Sequence, residues 1–391
     1  IAYYLHDKEH LKRPLTAIKQ NHMGMASLII LLFFMTIGLM DSVHFKQSGD
    51  TPTHNDVISV LDYIATPLRE HGEKTYSSPL ATTLYNKEMI TLDDNSRRWD
   101  YPPLSFGGQH LGNATAQKTH DILQKLAIGF LQGMGVFVLI VLSLRIKVKL
   151  TPPFWTFFIL MSISGALIHL SAYYHVFGTD KVGEDVFYQT IKSIRTGLVL
   201  GTLTTLILLP LSVILGILSG FFRGWLDDAI QFLYTTINSI PSVLLIGASV
   251  LMVQVYMANH ESEFTSLTVR ADMRLLFLCL ILGMTSWTGL CRLLRAETLK
   301  LREMHIVLIS IVLDFSSLVL AEAALSYINI GVDSSTYSWG NMINGARLEM
   351  AREPIVWWSL TAAFLFMFAL VLAANLFAQT VQTAFDPRRS Q

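Results

Sequence analysis

TGLVLGTLTTLILLPLSVILGILSGFF, residues 196–222, decides the fold class of this chain. The stretch is 27 residues long and contains no charged side chain, whereas an α-helix needs about 20 apolar residues to cross the hydrocarbon core of a bilayer. A segment inside that core must satisfy its own backbone hydrogen bonds, and a helix does so. The stretch therefore predicts a membrane-spanning helix.

Seven further runs of similar length and apolarity lie along the chain. The eight predicted spans are residues 23–40, 126–144, 154–174, 196–222, 230–257, 275–291, 306–330 and 355–381. Composition agrees with them, because 52% of the residues are hydrophobic and only 15% are charged, which is more apolar than a water-soluble domain requires. The sequence therefore predicts an all-α polytopic protein of about eight transmembrane helices, embedded in a lipid bilayer.

The distribution of basic residues indicates the orientation of the spans. If the N-terminus is cytoplasmic, Lys and Arg are about twofold denser in the inner loops than in the outer ones, as the positive-inside rule requires. Both termini are then cytoplasmic. The predicted organisation is a cytoplasmic segment 1–22, a first transmembrane helix 23–40, a small folded periplasmic lobe 41–125, a helix pair 126–174 and a remaining core 175–391.

Motifs for catalysis or metal binding are sparse. The phosphate-binding pattern GxxxxGK[ST] does not occur, and neither does HExxH or GxSxG. His6 and His10 form an HxxxH pair without a third ligand, and Cys279 and Cys291 are too far apart on one predicted helix to pair. Basic and acidic residues balance at 29 each, which gives no sign of nucleic-acid binding. We therefore predict no enzyme activity, no metal site and no cofactor in this chain.

Two features inside the predicted spans are candidates for a transport pathway. Asp314 and Glu322 are the only acidic residues in the eight spans, and intramembrane carboxylates usually face a bundle interior or a wet cavity. The preferred interpretation is that Asp314 lies near the cytoplasmic end and Glu322 bonds a neighbouring helix. The second feature is the polar stretch that includes Asn238, Ser239 and Pro241, where the proline predicts either a pathway-lining break or a simple kink.

Seven short motifs resemble, in order, the C-type permease subunit of dipeptide, oligopeptide and nickel ABC importers. They are FGTDKVGEDVF (177–187), GFFRGWLD (220–227), IPS (240–242), the basic stretch from Trp287 to Glu303, EAALSY (322–327), SWG (338–340) and FDPR (385–388). Each motif is weak alone, but seven in the family's order are specific. The first 175 residues lie outside the resemblance, apart from the position of the first span.

This resemblance implies the permease core of a type I ABC importer at residues 175–391, in a bacterial inner membrane. The implied partners are a second permease subunit, two ATPase subunits that bind ATP and Mg²⁺, and a periplasmic substrate-binding protein. The lobe 41–125, which lies outside the resemblance, is expected to contact either the binding protein or the partner permease. The residues expected to couple the chain to the ATPases are Arg292, Arg295, Glu297, Leu299, Lys300, Arg302 and Glu303. The implied function is import of peptides or similar small solutes through a pathway of which this chain forms half.

The chain departs from the family pattern in two ways. The family ordinarily has six spans, so residues 126–174 form an extra pair that leaves later orientations unchanged. The loop by which the family contacts its ATPase is also not found. We expect about 25 residues of that loop to be missing between Met304 and His305, because so short a connection cannot turn the chain between antiparallel helices. A genuine deletion is the alternative. The start at Ile1 also suggests a missing leading segment.

Two rival functions remain open at this point. The first is a stand-alone proton-coupled carrier that uses Asp314 and Glu322, which an inverted internal repeat would favour, but none is visible in the sequence. The second is a polytopic membrane enzyme, which would need catalytic residues clustered at one membrane face.

Overall fold

The computed structural model describes residues 9–46, 57–91, 97–111, 117–143, 151–222, 224–260, 267–300 and 306–385. The chain divides into two compact units. The first unit comprises Ile1–Leu28, Thr196–Asn344 and Ala369–Gln391, and the second comprises Ile29–Arg195 and Gly345–Phe368.

Helices make up most of the described chain. They are α1 (Glu9–Gln20), α2 (His22–Ser42), α3 (Val60–Ile64), α4 (Thr66–Glu70), α5 (Lys118–Ser143), α6 (Pro152–Ser171), α7 (Val186–Phe222), α8 (Trp225–Ser239), α9 (Ser242–Asn259), α10 (Leu267–Lys300), α11 (Ile306–Tyr327), α12 (Trp339–Glu349) and α13 (Trp358–Phe385). Four short strands lie between α2 and α5, namely β1 (His44–Lys46), β2 (Val57–Ser59), β3 (Glu88–Thr91) and β4 (Arg97–Asp100). They form two antiparallel pairs, β1 with β2 and β3 with β4, so the chain is mostly helical rather than all-α.

Seven helices of the described chain are long and apolar enough to cross a membrane, namely α2, α5, α6, α7, α9, α10 and α13. They coincide with seven of the eight predicted runs, which confirms a helical polytopic membrane protein. The remaining run, 306–330, forms α11, a helix of 22 residues that is not among the seven.

The prediction of one helix over 230–257 is wrong, because the structure divides this run into α8 and α9. The helix α8 ends at Ser239, Ile240 is extended with φ −91° and ψ 130°, and Pro241 precedes the first residue of α9. Proline has no N–H to donate to the preceding turn and disfavours helical geometry in the residue before it. The Ile240–Pro241 dipeptide therefore ends one helix and starts the next, and only α9 is a candidate span.

The core of the first unit is built from long apolar side chains of α7, α9, α10 and α11. Its buried members include Leu200, Leu208, Val250, Leu278, Leu282 and Leu318. Ser212 of α7 donates a hydrogen bond to the backbone oxygen of Trp287 in α10, at 3.1 Å. This contact holds α7 against α10, and α10 carries part of the candidate site described below.

In the second unit, α5 and α6 pack backbone to backbone through glycines. A Cβ atom added to Gly133 would lie 2.9 Å from the Cα of Ser162, and one added to Gly165 would lie 2.5 Å from the Cα of Gly133. Small residues at such a crossing allow the close approach by which helices associate in lipid. The predicted pair 126–174 is thus a tightly packed helical hairpin within this unit.

We expect Gly133→Leu to force α5 and α6 apart, because the added side chain meets backbone atoms that cannot rotate away. Overpacking of this kind costs about 1–3 kcal/mol. Gly135→Leu on the same helix is the matched control, since a Cβ there has no atom within 4 Å. Denaturant titration of both purified variants in mild detergent measures the difference, and equal destabilisation would contradict the packing described.

The segment between α2 and α5 folds within the second unit. Ala81, Leu84 and Leu104 form a small apolar cluster. The ammonium group of Lys192 in α7 lies 2.8 Å from Asp41 at the end of α2 and 2.7 Å from Asp62 in α3. These ion pairs connect α3 and the end of α2 to α7. The predicted lobe at 41–125 and its periplasmic location stay predictions.

Candidate functional site

A cavity of about 460 Å³ opens in the first unit at the break between α8 and α9. Its polar lining comes from Asn238, Ser242, Thr285, Thr288 and Arg292, and its apolar lining from Ile237, Ile240, Pro241 and Leu245, with Gly289 completing the wall. The Thr288 hydroxyl donates to the Asn238 side-chain oxygen at 2.9 Å, which ties α10 to the end of α8. This hydrogen bond therefore connects the part of the cavity wall that α8 contributes to the part that α10 contributes.

Some of the predicted site residues meet at this cavity. Asn238 and Pro241, predicted for the pathway, line it together with Arg292, which was predicted for coupling. Ser239 does not line it, because its hydroxyl turns back to the Thr236 backbone oxygen at 2.7 Å. The hydroxyl-bearing Thr285 of α10 was missed, and only its helical spacing from Arg292 could have placed it on the same face.

A bidentate ion pair joins α10 to α8 about one helical turn beyond the lining residue Arg292. The guanidinium of Arg295 donates to the two carboxylate oxygens of Asp227 at 2.6 and 2.7 Å. Both side chains are largely buried, at 24% and 11% exposure, and the guanidinium lowers the pKa of Asp227 below its ordinary value. Asp227 was part of a recognised motif but had been given no role, since its partner is 68 positions away in the chain.

The remaining coupling candidates lie towards the end of α10. Leu299 is half-buried, and Glu297 and Lys300 lie on the helix with side chains outside the described residues. Arg302 and Glu303 also lie outside them, as do Met304 and His305. The prediction that a loop is missing between these last two residues therefore stays a prediction.

Glu322 of α11 is buried, with 2% exposure, and anchors the start of α12. Its carboxylate accepts a hydrogen bond from Ser326 at 2.7 Å and another from Ser338, the residue before Trp339. A Cβ added to Gly340 would lie 2.9 Å from the Cα of Ala323, so the two segments approach closely here. These contacts favour the interpretation that Glu322 packs one helix against its neighbour. Asp314 is half-buried on the same helix.

We expect Glu322→Gln to weaken packing of the first unit without changing any response to a proton gradient. The glutamine keeps one acceptor oxygen but presents an N–H₂ group where a serine hydroxyl now donates, a mismatch that costs about 1–3 kcal/mol. Asp314→Asn, which removes no hydrogen bond described for that carboxylate, is the comparison. Thermal unfolding reports packing, and uptake measured with and without a protonophore at constant ATP reports coupling. Collapse of uptake with the protonophore would instead support the proton-coupled carrier.

A buried charged cluster in the second unit involves the motif FGTDKVGEDVF. The His175 ring lies between two carboxylates, with Nδ1 2.7 Å from Asp185 and Nε2 3.4 Å from Glu73. Glu73 also accepts backbone N–H bonds from Ser105, Phe106 and Gly107, at 2.8 to 3.2 Å. One carboxylate thus links the segment before α5 to His175, which lies two residues before the motif. No sequence pattern indicated this cluster, because Glu73 lies 102 positions before His175 in the chain.

The electrostatics of the cluster follow from these contacts. Despite burial, the two carboxylates raise the pKa of His175 to about 9 from its ordinary 6.5. Despite burial, its hydrogen bonds to His175 and to three backbone N–H groups lower the pKa of Glu73 to about 2 from its ordinary 4.5. The cluster is therefore an imidazolium between carboxylates over the neutral pH range.

This arrangement makes the stability of the second unit depend on pH. A raised histidine pKa gives stability that is complete below about pH 6.5 and is lost as the pH rises through about 9. A lowered glutamate pKa gives stability that is complete above about pH 4.5 and is lost as the pH falls through about 2. Both contributions are complete between these limits, and we expect a loss on the order of 2 kcal/mol between pH 6 and pH 9.5.

The midpoint of thermal unfolding, measured across that pH range, tests this expectation. His175→Gln should remove most of the decrease in the unfolding midpoint at alkaline pH. His44→Gln, which changes an exposed histidine, should leave that decrease unchanged. If His175→Gln loses as much thermal stability between pH 6 and pH 9.5 as the wild type does, groups other than His175 cause the loss.

Comparison with known proteins places the chain among transport proteins. No family model matches it. It is 27% identical over 294 residues to a putative peptide permease protein of Brucella suis, covering 66% of this chain and 89% of that protein. It is 29% identical over 224 residues to a glutathione transport system permease protein of Pectobacterium atrosepticum, covering 55% and 73%. A di/tripeptide transport system permease protein of Pseudomonas aeruginosa is 28% identical over 247 residues, covering 61% and 77%. The chain is therefore a homologue of the permease proteins of peptide and glutathione transport systems, as its motifs predicted.

Proposed function

We propose that this chain is the transmembrane permease subunit of an ATP-driven importer for peptides or similar small solutes, and that it forms half of the translocation pathway. The observation that supports it most strongly is that several relatives are named as permease proteins of peptide, dipeptide or glutathione transport systems. Seven candidate spans and a polar cavity at a helix break fit that function. The relatives give no support to a stand-alone proton-coupled carrier.

The proposed assembly divides the work among several chains. Because this sequence has no phosphate-binding loop, ATP and Mg²⁺ would bind to two ATPase subunits on the cytoplasmic side. A second permease subunit would complete the pathway, and a periplasmic binding protein would deliver the solute. The proposed location is a bacterial inner membrane, with both termini of this chain in the cytoplasm.

Coupling between ATPases and pathway would run along α10. Its end carries the predicted coupling residues, and the Arg295–Asp227 ion pair attaches it to α8. The helix α8 ends at the break that lines the cavity. A partner shifts a conformational equilibrium only through contacts that differ between the two states. Movement of the end of α10 would therefore reach the cavity through the residues of α10 that line it and through the ion pair and the Thr288–Asn238 hydrogen bond that attach α10 to α8.

Purification from the native membrane in mild detergent, followed by reconstitution into vesicles, tests the proposal. We expect a second permease and ATPase subunits to co-elute stoichiometrically with this chain. Uptake of radiolabelled dialanine should require ATP and should persist when a protonophore removes the proton gradient. Uptake that proceeds without ATP would contradict the proposed function.

A further inference from the structure

We propose that the cavity between α8 and α9 binds the carboxylate of the transported solute, with Arg292 as its charged partner. This inference rests on the proposed function and adds the substrate class: a short solute with a free carboxylate, such as a dipeptide. It assigns Arg292 to solute binding rather than to ATPase coupling.

The cavity lining carries one charged side chain among the described residues, the guanidinium of Arg292. Arg292 is exposed to the cavity and pairs with no other described residue, and the lining contains no acidic side chain. Arg295, one turn further along α10, differs in this respect because Asp227 neutralises it in a bidentate pair. The two arginines of α10 therefore differ in their surroundings: Arg295 pairs with a carboxylate, and Arg292 lines the cavity. A guanidinium without a carboxylate partner is suited to bind one from a ligand.

Neutral donors surround this charge. The helix α9 is 18 residues long, begins at the cavity with Ser242, and has no side-chain cap. The first N–H groups of a helix lack partners within it, and its dipole favours a negative charge at that end. The Asn238 side-chain oxygen is occupied by Thr288, which leaves the amide N–H₂ group of Asn238 as a donor on the same wall.

The volume and the apolar side of the cavity limit the solute. About 460 Å³ lies in the lower part of the range of small-molecule sites. Ile237, Ile240 and Leu245 contribute apolar surface to the same lining. The cavity thus suits a carboxylate that carries a short, partly apolar body. A free inorganic anion would use the donors and leave the apolar surface unoccupied.

The test compares dialanine with dialaninamide, which lacks the carboxylate, on the purified complex in lipid nanodiscs without its binding protein. Equilibrium dialysis of the radiolabelled probes gives both dissociation constants. We expect wild type to bind dialanine about tenfold more tightly than the amide, since a charge-assisted hydrogen bond contributes roughly this much. Arg292→Gln should abolish the preference by weakening dialanine binding alone. Arg292→Lys should retain part of it, and Asn238→Ala should reduce it.

Arg98→Gln on the exposed strand β4 is the matched control and should keep the full preference. Retention of the preference in Arg292→Gln, or its absence in wild type, overturns the inference. Loss of the second permease from both the Arg292→Gln and the Arg292→Lys complexes also overturns it, because Arg292 would then contribute to the contact between subunits.

ATP-driven uptake of dialanine in the same preparation distinguishes failure of this inference from failure of the proposed function. If ATP-driven uptake is present but the preference for dialanine over dialaninamide does not depend on Arg292, only this inference fails. If uptake does not require ATP, the proposed function fails.

Discussion

Glu73→Ala is expected to destabilise the second unit by about 3–5 kcal/mol, the largest effect we predict. The Glu73 side chain is 1% exposed and accepts three backbone N–H bonds as well as facing His175. Its removal leaves the buried Gly107 N–H and the part-buried N–H groups of Ser105 and Phe106 without this acceptor, and it leaves the imidazolium with Asp185 as the remaining carboxylate of the pair described above. Each unsatisfied buried donor costs about 1–3 kcal/mol, which explains the size of the effect.

The expected result has a local signature. Amide hydrogen exchange at Ser105, Phe106 and Gly107 should accelerate by roughly 100-fold in Glu73→Ala, because these N–H groups lose their acceptor. Glu70→Ala is the matched control, since Glu70 is 60% exposed and pairs only with its neighbour Arg69. A surface pair of this kind contributes about 0–1 kcal/mol. Unchanged protection at Ser105 to Gly107 in Glu73→Ala would contradict the arrangement described.

Glu73→Gln separates shape from charge. The amide keeps the volume and one acceptor oxygen, but its N–H₂ group points at a site where backbone N–H groups already donate. We expect an intermediate loss and a lower pKa for His175, which has then lost one of its two facing carboxylates. The alkaline arm of the stability profile should move to lower pH accordingly.

The fold was predictable where one physical rule acts along the chain. The length of the apolar runs was enough to locate seven candidate spans, because a segment in the hydrocarbon core must satisfy its own backbone hydrogen bonds and a helix does so. The run 230–257 was predicted as one span, with Pro241 left open as either a break or a kink, because apolar length alone does not distinguish the two. The rule that a residue before proline avoids helical geometry would have placed the break correctly.

The site was less predictable, because it depends on contacts between distant positions. Asn238 and Pro241 were found from a local pattern, and both line the cavity. The partners Asp227 and Arg295 belong to separate motifs, and nothing in either motif indicates which arginine is neutralised. Arg292 and Arg295 look alike in sequence, and the packing of α8 against α10 shows that Arg295 pairs with Asp227 whereas Arg292 has no ion-pair partner within the described part of the chain.

That difference makes Asp227→Ala the second prediction of large effect. The change leaves the Arg295 guanidinium, with 24% of its side chain exposed, without its bidentate carboxylate. Removing one partner from a fully buried pair costs about 3–5 kcal/mol, and partial exposure reduces this to roughly 2–3 kcal/mol. Asp228→Ala, the exposed neighbour on the same turn of α8, is the matched control and should change stability by less than about 0.5 kcal/mol.

A double-mutant cycle with Arg295→Ala isolates the pair, and we expect a coupling energy of about 1.5–3 kcal/mol, because the two changes remove one shared interaction. Arg295→Lys should recover less than half of it, since an ammonium cannot donate to both oxygens in the fork geometry. If this ion pair transmits movement from α10 to α8, the reconstituted complex should also hydrolyse ATP while importing less solute per ATP in Asp227→Ala. Additive stability effects in the cycle, or unchanged uptake per ATP, would show that α8 and α10 are held and coupled by other contacts.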